Sequence, residues 1–127
     1  MALSKILRFL PNIFGTIFIL FGINALIRPS HALTFYKPFS LPKTASDAAL
    51  VEALMTIYGA RDIFMGLAMY AASYYRNYKI LGWIVMAGGG VAFVDGWVCY
   101  MAGGGQGDHW GYAPVHMIVG ILLVLGY

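Results

Sequence analysis

Long runs without charge, separated by short polar breaks, are the first thing the sequence shows. From Asn12 to Ile27 no side chain is charged, and with the flank from Ile6 the run approaches the roughly 20 residues that a helix needs to cross a bilayer. A first membrane helix is predicted there, opened by Pro11. Lys5 and Arg8 ahead of an apolar run are also the layout of a cleaved leader. The run is long for a leader, however, and no small-residue cleavage site follows before Arg28-Pro29, so a retained helix is expected. The segment from Arg28 to Lys43 carries Pro29, Pro38 and Pro42, which exclude a long helix. His31, Phe35, Tyr36, Lys37 and Phe39 give it the aromatic and lysine mixture of an interfacial connection, read as a connecting loop in preference to a lid.

Ser46-Asp47 supplies an N-cap for a second helix extending to about Tyr75. At 1.5 Å per residue it is roughly 44 Å long, more than the hydrocarbon needs, so it protrudes or tilts. Ala53, Gly59, Ala60, Gly66 and Ala68 offer small contact positions to its neighbours. Arg76 and Lys79 bound a short turn, and a third helix is predicted from about Ile80 to Met101. Its Gly88-Gly89-Gly90 signals a close helix contact, a kink or a cavity wall. The run Gly103 to Gly107 breaks that helix and lacks the Lys-Ser/Thr pair of a phosphate loop. Asp108 to Tyr112 reads as a polar aromatic loop, and Pro114 suits the first turn of a fourth helix that carries His116 and continues to Tyr127. The fold class expected is all-α, a four-transmembrane-helix bundle forming one domain over residues 1–127.

Composition sharpens this picture. Of 127 residues, 61% are hydrophobic and only 10% are charged, against roughly 25% charged in an ordinary soluble domain. An integral membrane protein is expected. The formal net charge of +3 comes from basic residues beside apolar runs, the pattern of membrane anchors, and a nucleic-acid partner is not expected. Four spans put both termini on one side with Lys5, Arg8, Arg76 and Lys79, opposite Arg28, Lys37 and Lys43. The balance leans towards cytosolic termini. A single cysteine, Cys99, excludes an internal disulfide, and no Cys/His spacing resembles a zinc site. Neither a metal nor a cofactor is expected.

The few polar residues inside the apolar runs carry the candidate chemistry. Counted inward from the loop side, Asn24, Glu52, Asp95 and His116 fall within roughly 5 to 10 Å of one surface, with Arg61 and Asp62 perhaps 12 Å deeper. Tyr58 lies one turn above Asp62. At about 100° per residue Glu52 and Arg61 point to opposite faces, with Asp62 between them. Asp62, Asp95 and His116 are therefore taken to face inward as catalytic candidates, with Arg61 orienting or neutralising a carboxylate. Asn24, Glu52, Tyr58, Trp97, His109, Trp110 and Tyr112 are the candidates for substrate contact. The competing reading is a structural ion pair between Arg61 and either Asp62 or Asp95. Charges at membrane mid-depth cost about 2.5 to 3.5 kcal/mol each to insert, which favours a functional reason for them.

The GARDxxxG stretch at Gly59 to Gly66, Asp95 on the third helix, and the GDHWGYAP stretch at Gly107 to Pro114 together resemble a family of small four-helix integral-membrane proteins. That family is a domain of unknown function found in fungi, often beside secondary-metabolite genes. The resemblance covers nearly the whole chain and implies a membrane-resident helper or enzyme of natural-product assembly at the endoplasmic reticulum. From the residues themselves, the leading expectation is a cofactor-independent acid/base enzyme acting on a lipophilic small molecule. It would be a cyclase, an isomerase or an epoxide-opening hydrolase. Burial favours the neutral form of an Asp, so Asp62 or Asp95 can donate a proton while the other carboxylate or His116 accepts one. Trp97, Trp110 and Tyr112 would shape the cavity or face a developing cation. The alternative is a non-catalytic scaffold, a partner subunit of a biosynthetic enzyme, or a small-molecule carrier. A proton-coupled transporter would need more helices than one chain supplies. Small-residue faces leave a homodimer open.

Overall fold

Small residues seven apart decide which helices touch. In a computed structural model describing residues 2–127, the elements are α1 (Ala2–Ile27), α2 (Pro29–Leu33), α3 (Ala45–Tyr74), α4 (Tyr78–Met101), α5 (Gly107–Trp110) and α6 (Ala113–Leu125). Seven residues are nearly two turns, so Gly15 and Gly22 share one face of α1, and Gly59 and Gly66 share one face of α3. These faces meet. A Cβ on Gly22 would lie 2.5 Å from the Gly59 carbonyl oxygen, and one on Gly66 the same distance from that of Gly15. The second pair repeats the device: Gly82 and Gly89 of α4 lie against Gly120 and Ala113 of α6. Backbones approach this closely only where side chains are absent, which is how dispersion and carbonyl contacts hold helices in a lipid solvent.

Two tight pairs result, α1 with α3 and α4 with α6, and the pairs meet each other less extensively. At the end carrying both termini, Leu7, Phe14, Met69, Leu81, Val85 and Leu123 form an apolar core. At the opposite end Ala25, Ala32, Leu33, Tyr36, Met55 and Cys99 form a second one. The segment after α1 therefore folds onto the bundle, with Tyr36 buried. Among the described residues three helical stretches, Leu3–Ile27, Tyr78–Met101 and Gly107–Leu125, are long and apolar enough to cross a membrane. The chain is an all-helical, multi-pass membrane protein. The helix α3, with Asp47, Glu52, Arg61 and Asp62 along it, is not one of those three.

Several boundaries differ from expectation for physical reasons. Pro11 lies inside α1. Its ring is fully buried, and in a membrane bundle neighbouring groups compensate for the missing backbone bond. The N-cap of α3 is Thr44, whose hydroxyl accepts from the Asp47 amide, while Asp47 accepts from that hydroxyl. Ser46 is instead the second residue of the helix. Asn77 caps α4 from two residues before Lys79. Gly103, Gly104 and Gly105 stop α4 with φ of 114°, 138° and 83°, a run of left-handed backbone that glycine accepts without strain. The stretch expected as a loop after them contains the single turn α5. Pro114 does sit in the first turn of α6.

Candidate functional site

Arg61 links the two helix pairs electrostatically. Its Nη1 and Nη2 donate to Oδ1 and Oδ2 of Asp95 on α4 at 3.2 and 3.0 Å. Its Nε and Nη2 donate to Oδ1 of Asp62 at 3.1 and 3.0 Å. Both aspartates are partners, where the sequence suggested one or the other. The fork-to-fork geometry on Asp95 is the strong, directional form of the arginine–carboxylate bond. Asp62 uses one oxygen for the guanidinium. The Tyr58 ring lies beneath the Arg61 guanidinium, 4.5 Å from Cζ to the ring centroid, and its hydroxyl faces Asp62 one turn away.

The expected depth difference between Arg61 and Asp95 does not exist, since they are hydrogen bonded. Counting inward from helix ends assumed that the ends are level. Gly59 packs beside Gly22; fourteen residues of α3 precede Gly59 and five of α1 follow Gly22, so α3 begins further out than the end of α1, against α2 and Tyr36. That offset brings Arg61 and Asp62 level with Asp95.

The two carboxylates form part of the wall of a cavity of about 440 Å³. Phe14, Phe18 and Phe21 line it from α1, Tyr58 and Asp62 from α3, Ala92 and Asp95 from α4, and Tyr112, Val115 and His116 from the α6 side. Phe35, Asp108 and His109 close the loop end. Arg61 is not among the lining residues; it stands behind the carboxylates it holds. His116 is 5% exposed and stacks on Phe14 with centroids 4.2 Å apart. Its Nδ1 lies 2.9 Å from the Tyr112 carbonyl. A carbonyl only accepts, so Nδ1 carries the proton and neutral His116 keeps a lone pair on Nε2. Nε2 is buried with no hydrogen-bond partner among the described residues.

The loop end is held by contacts across the chain. Lys37 pairs with Asp108 at 2.8 Å, His109 Nε2 donates to the Phe35 carbonyl at 3.2 Å, and the Tyr36 and His109 rings lie 4.8 Å apart. Burial pushes the Tyr36 hydroxyl well above its ordinary range, with the Asp95 charge adding to it, so Tyr36 stays neutral there.

Of the residues expected to contact substrate, Tyr58, His109 and Tyr112 line this cavity. Four do not. Asn24 belongs to a neighbouring recess with His31 and Phe35, where its Oδ1 is 3.1 Å from His31 Nδ1 and its Nδ2 is buried without a partner among the described residues. Glu52 lies on the protruding turns of α3, ten residues from Asp62, and its backbone carbonyl accepts from Thr56. Trp97 is turned outward, 48% exposed, with its ring beside Tyr100. Trp110 packs on Phe93 and donates to the Phe93 carbonyl at 3.0 Å, in the space left by Gly96, where a Cβ would run into the indole. It supports α4 beside Asp95 from outside the cavity. Phe14 and Phe18 were missed as site residues. The pattern Phe14, Phe18, Phe21, at spacings of four and three, already marked one aromatic face of α1. Among the described residues, no three His, Cys, Asp or Glu side chains group as metal ligands.

The fold and site define a multi-pass helical membrane protein with a carboxylate and histidine wall on an aromatic internal cavity. The chain belongs to the family described as Domain of unknown function (DUF4267), whose model matches residues 15–123. That span takes in every residue of the Arg61 cluster and His116. No curated protein and no solved structure matches the chain.

Proposed function

We propose that the chain is a membrane-embedded acid/base enzyme, needing no cofactor, that rearranges a lipophilic small molecule held in the cavity. The reaction is a cyclisation, an isomerisation or the opening of an epoxide. The observation that carries this reading is the pairing of unlike polar groups on one apolar cavity: Asp62, with an oxygen free of Arg61, and His116, with an unpartnered Nε2. Arg61 holds Asp95 by both oxygens, which assigns Asp95 the ionised role. Asp62 is then the proton donor through Oδ2, and His116 the acceptor. Tyr58 lines the cavity one turn before the donor, and Tyr112 and His109 contact the substrate. In this reading α1, α3, α4 and α6 cross the bilayer as one bundle, since Arg61 is matched by carboxylates and the other two charged residues of α3, Asp47 and Glu52, lie in its outer turns. Its family resemblance further suggests natural-product assembly at the endoplasmic reticulum.

The test is a metabolite comparison between the source strain, a deletion strain and a strain carrying Asp62→Asn, with membrane levels of the protein followed in parallel. A precursor of the same mass as the lost product means cyclisation or isomerisation. One lighter by a water means hydrolytic opening. Asp62→Asn giving the wild-type profile removes the proposal.

A second reading rests on the same bonds. Because Arg61 of α3 holds Asp95 of α4 by both oxygens, the cluster also serves to hold helices together, as it would in a scaffold, a partner subunit or a small-molecule carrier. That reading predicts copurification with a biosynthetic enzyme and an unchanged product profile in Asp62→Asn whenever the protein accumulates normally.

A further inference from the structure

The charge layout of the cavity narrows the kind of molecule it takes. Two carboxyl groups, Asp62 and Asp95, lie on the wall, and the cation that serves them lies behind, its hydrogen bonds described above all directed at a carboxylate and its face on the Tyr58 ring. The third acid, Asp108, is matched by Lys37. With both wall carboxylates ionised the cluster has one negative charge in excess. The rest of the wall is largely phenylalanine and tyrosine, whose ring faces attract cations. His116, 5% exposed, adds a buried, unpartnered lone pair. Among the described residues that line the cavity there is no Lys or Arg to receive an anion.

We infer that the cavity is built for a lipophilic cation, and that the reaction proposed above passes through a positively charged carbon intermediate instead of an enolate. This inference rests on the acid/base reading of Asp62 and His116. The Asp62 Oδ2–H bond breaks and its proton goes to an alkene carbon or an epoxide oxygen of the substrate. The π pair makes the new C–H bond, or an epoxide lone pair the new O–H bond while the C–O bond opens. Either way a carbon is left positive, facing the newly ionised Asp62, Asp95 and the ring faces. His116 Nε2 then takes a proton from a neighbouring carbon, whose C–H pair becomes the product double bond. Proton return from His116 to Asp62 restores the starting state. A stable lipophilic ammonium mimics that intermediate and takes the place of the Asp62 proton.

The experiment uses the full chain in nanodiscs of uncharged phosphatidylcholine, with empty nanodiscs subtracting partition into lipid. Equilibrium dialysis compares benzyldimethyldecylammonium with its neutral carbon isostere, and with an alkyl carboxylate of similar size. The wild-type protein is expected to prefer the ammonium to the isostere by about tenfold or more, and Asp62→Asn to lose most of that preference. Equal affinity for ammonium and isostere, tighter binding of the carboxylate, or a preference that survives intact in Asp62→Asn would overturn the inference. The wild-type comparison needs no variant, so it stands even where Asp62→Asn fails to assemble. The two proposals fail separately. Lost turnover in Asp62→Asn without an ammonium preference removes the cation and leaves the acid/base enzyme. A clear ammonium preference with an unchanged metabolite profile supports the cation site and removes the enzyme.

Discussion

Asp62 and Asp95 look alike in the sequence and differ in what they hold. Asp95 receives both arms of Arg61 across the seam between α3 and α4, whereas Asp62 shares one oxygen with the arginine next to it. Asp95→Asn weakens the bond that joins α3 to α4, and since Arg61 is 36% exposed and keeps Asp62 the expected cost is about 1–2 kcal/mol of stability, visible as a lower unfolding temperature in detergent. Asp62→Asn keeps the α3 to α4 bridge. Its unfolding temperature should fall less, while turnover is lost. The gathering of Arg61, Asp62, Asp95 and His116 was legible from sequence because charge inside a bilayer must find partners or water. That Trp97 and Trp110 both stay outside the cavity was not. The rotation of α4 turns Trp97 outward, and Trp110 of α5 fills the space that Gly96 leaves on α4; Gly82, Gly89 and Gly96 set these positions through contacts made by absent side chains.

At the scale of elements, the glycines make predictions of opposite sign. Gly22→Ala puts a methyl group against the backbone of Gly59, and since backbone cannot swing aside, α1 and α3 must separate, at about 1–3 kcal/mol. Gly90→Ala meets nothing within 4 Å. It should raise stability by roughly 0.5–1 kcal/mol, the helix-propensity gain alone. Comparative thermal unfolding of the two variants reads both signs. The turn between α3 and α4 offers a third case. Arg76 has φ 54° at the position where helices commonly end on glycine, with the Asn77 amide closing on the Ala72 carbonyl. Arg76→Gly should stabilise the turn by about 1 kcal/mol. The sequence indicated that Gly59 and Gly66 are contact positions and that the run from Gly103 breaks a helix. It also proposed Ala53 and Ala60, which are exposed; small size permits a close contact, and only the partner's own small face selects it.

The whole molecule is two glycine-zipped helix pairs whose looser seam encloses a cavity. Tight packing within each pair fixes the helix positions and leaves the larger aromatic side chains to line the space between them. The helical runs Leu3–Ile27, Tyr78–Met101 and Gly107–Leu125, three of the four spans expected, were legible from the apolar pattern, as was the shared side of the two long connections. Relative depth was not, because α3 starts beyond the end of α1 and the register is set by where glycine meets glycine. The loop end has its own expected behaviour. Lys37 and Asp108 are 64% and 49% exposed, and such a pair contributes at most about 1 kcal/mol. Lys37→Ala should therefore leave the unfolding temperature nearly unchanged.

The account turns on whether Asp62 holds a proton inside the cavity. Infrared difference spectroscopy of the protein in lipid at neutral pH, wild type minus Asp62→Asn, reads this directly from the carbonyl stretch of a protonated carboxyl group. The account predicts that band in the wild-type protein and its loss in Asp62→Asn. Carboxylate bands alone, with no protonated carboxyl in the wild type, would mean that both aspartates are ionised against Arg61, and would contradict the assignment of Asp62 as the acid.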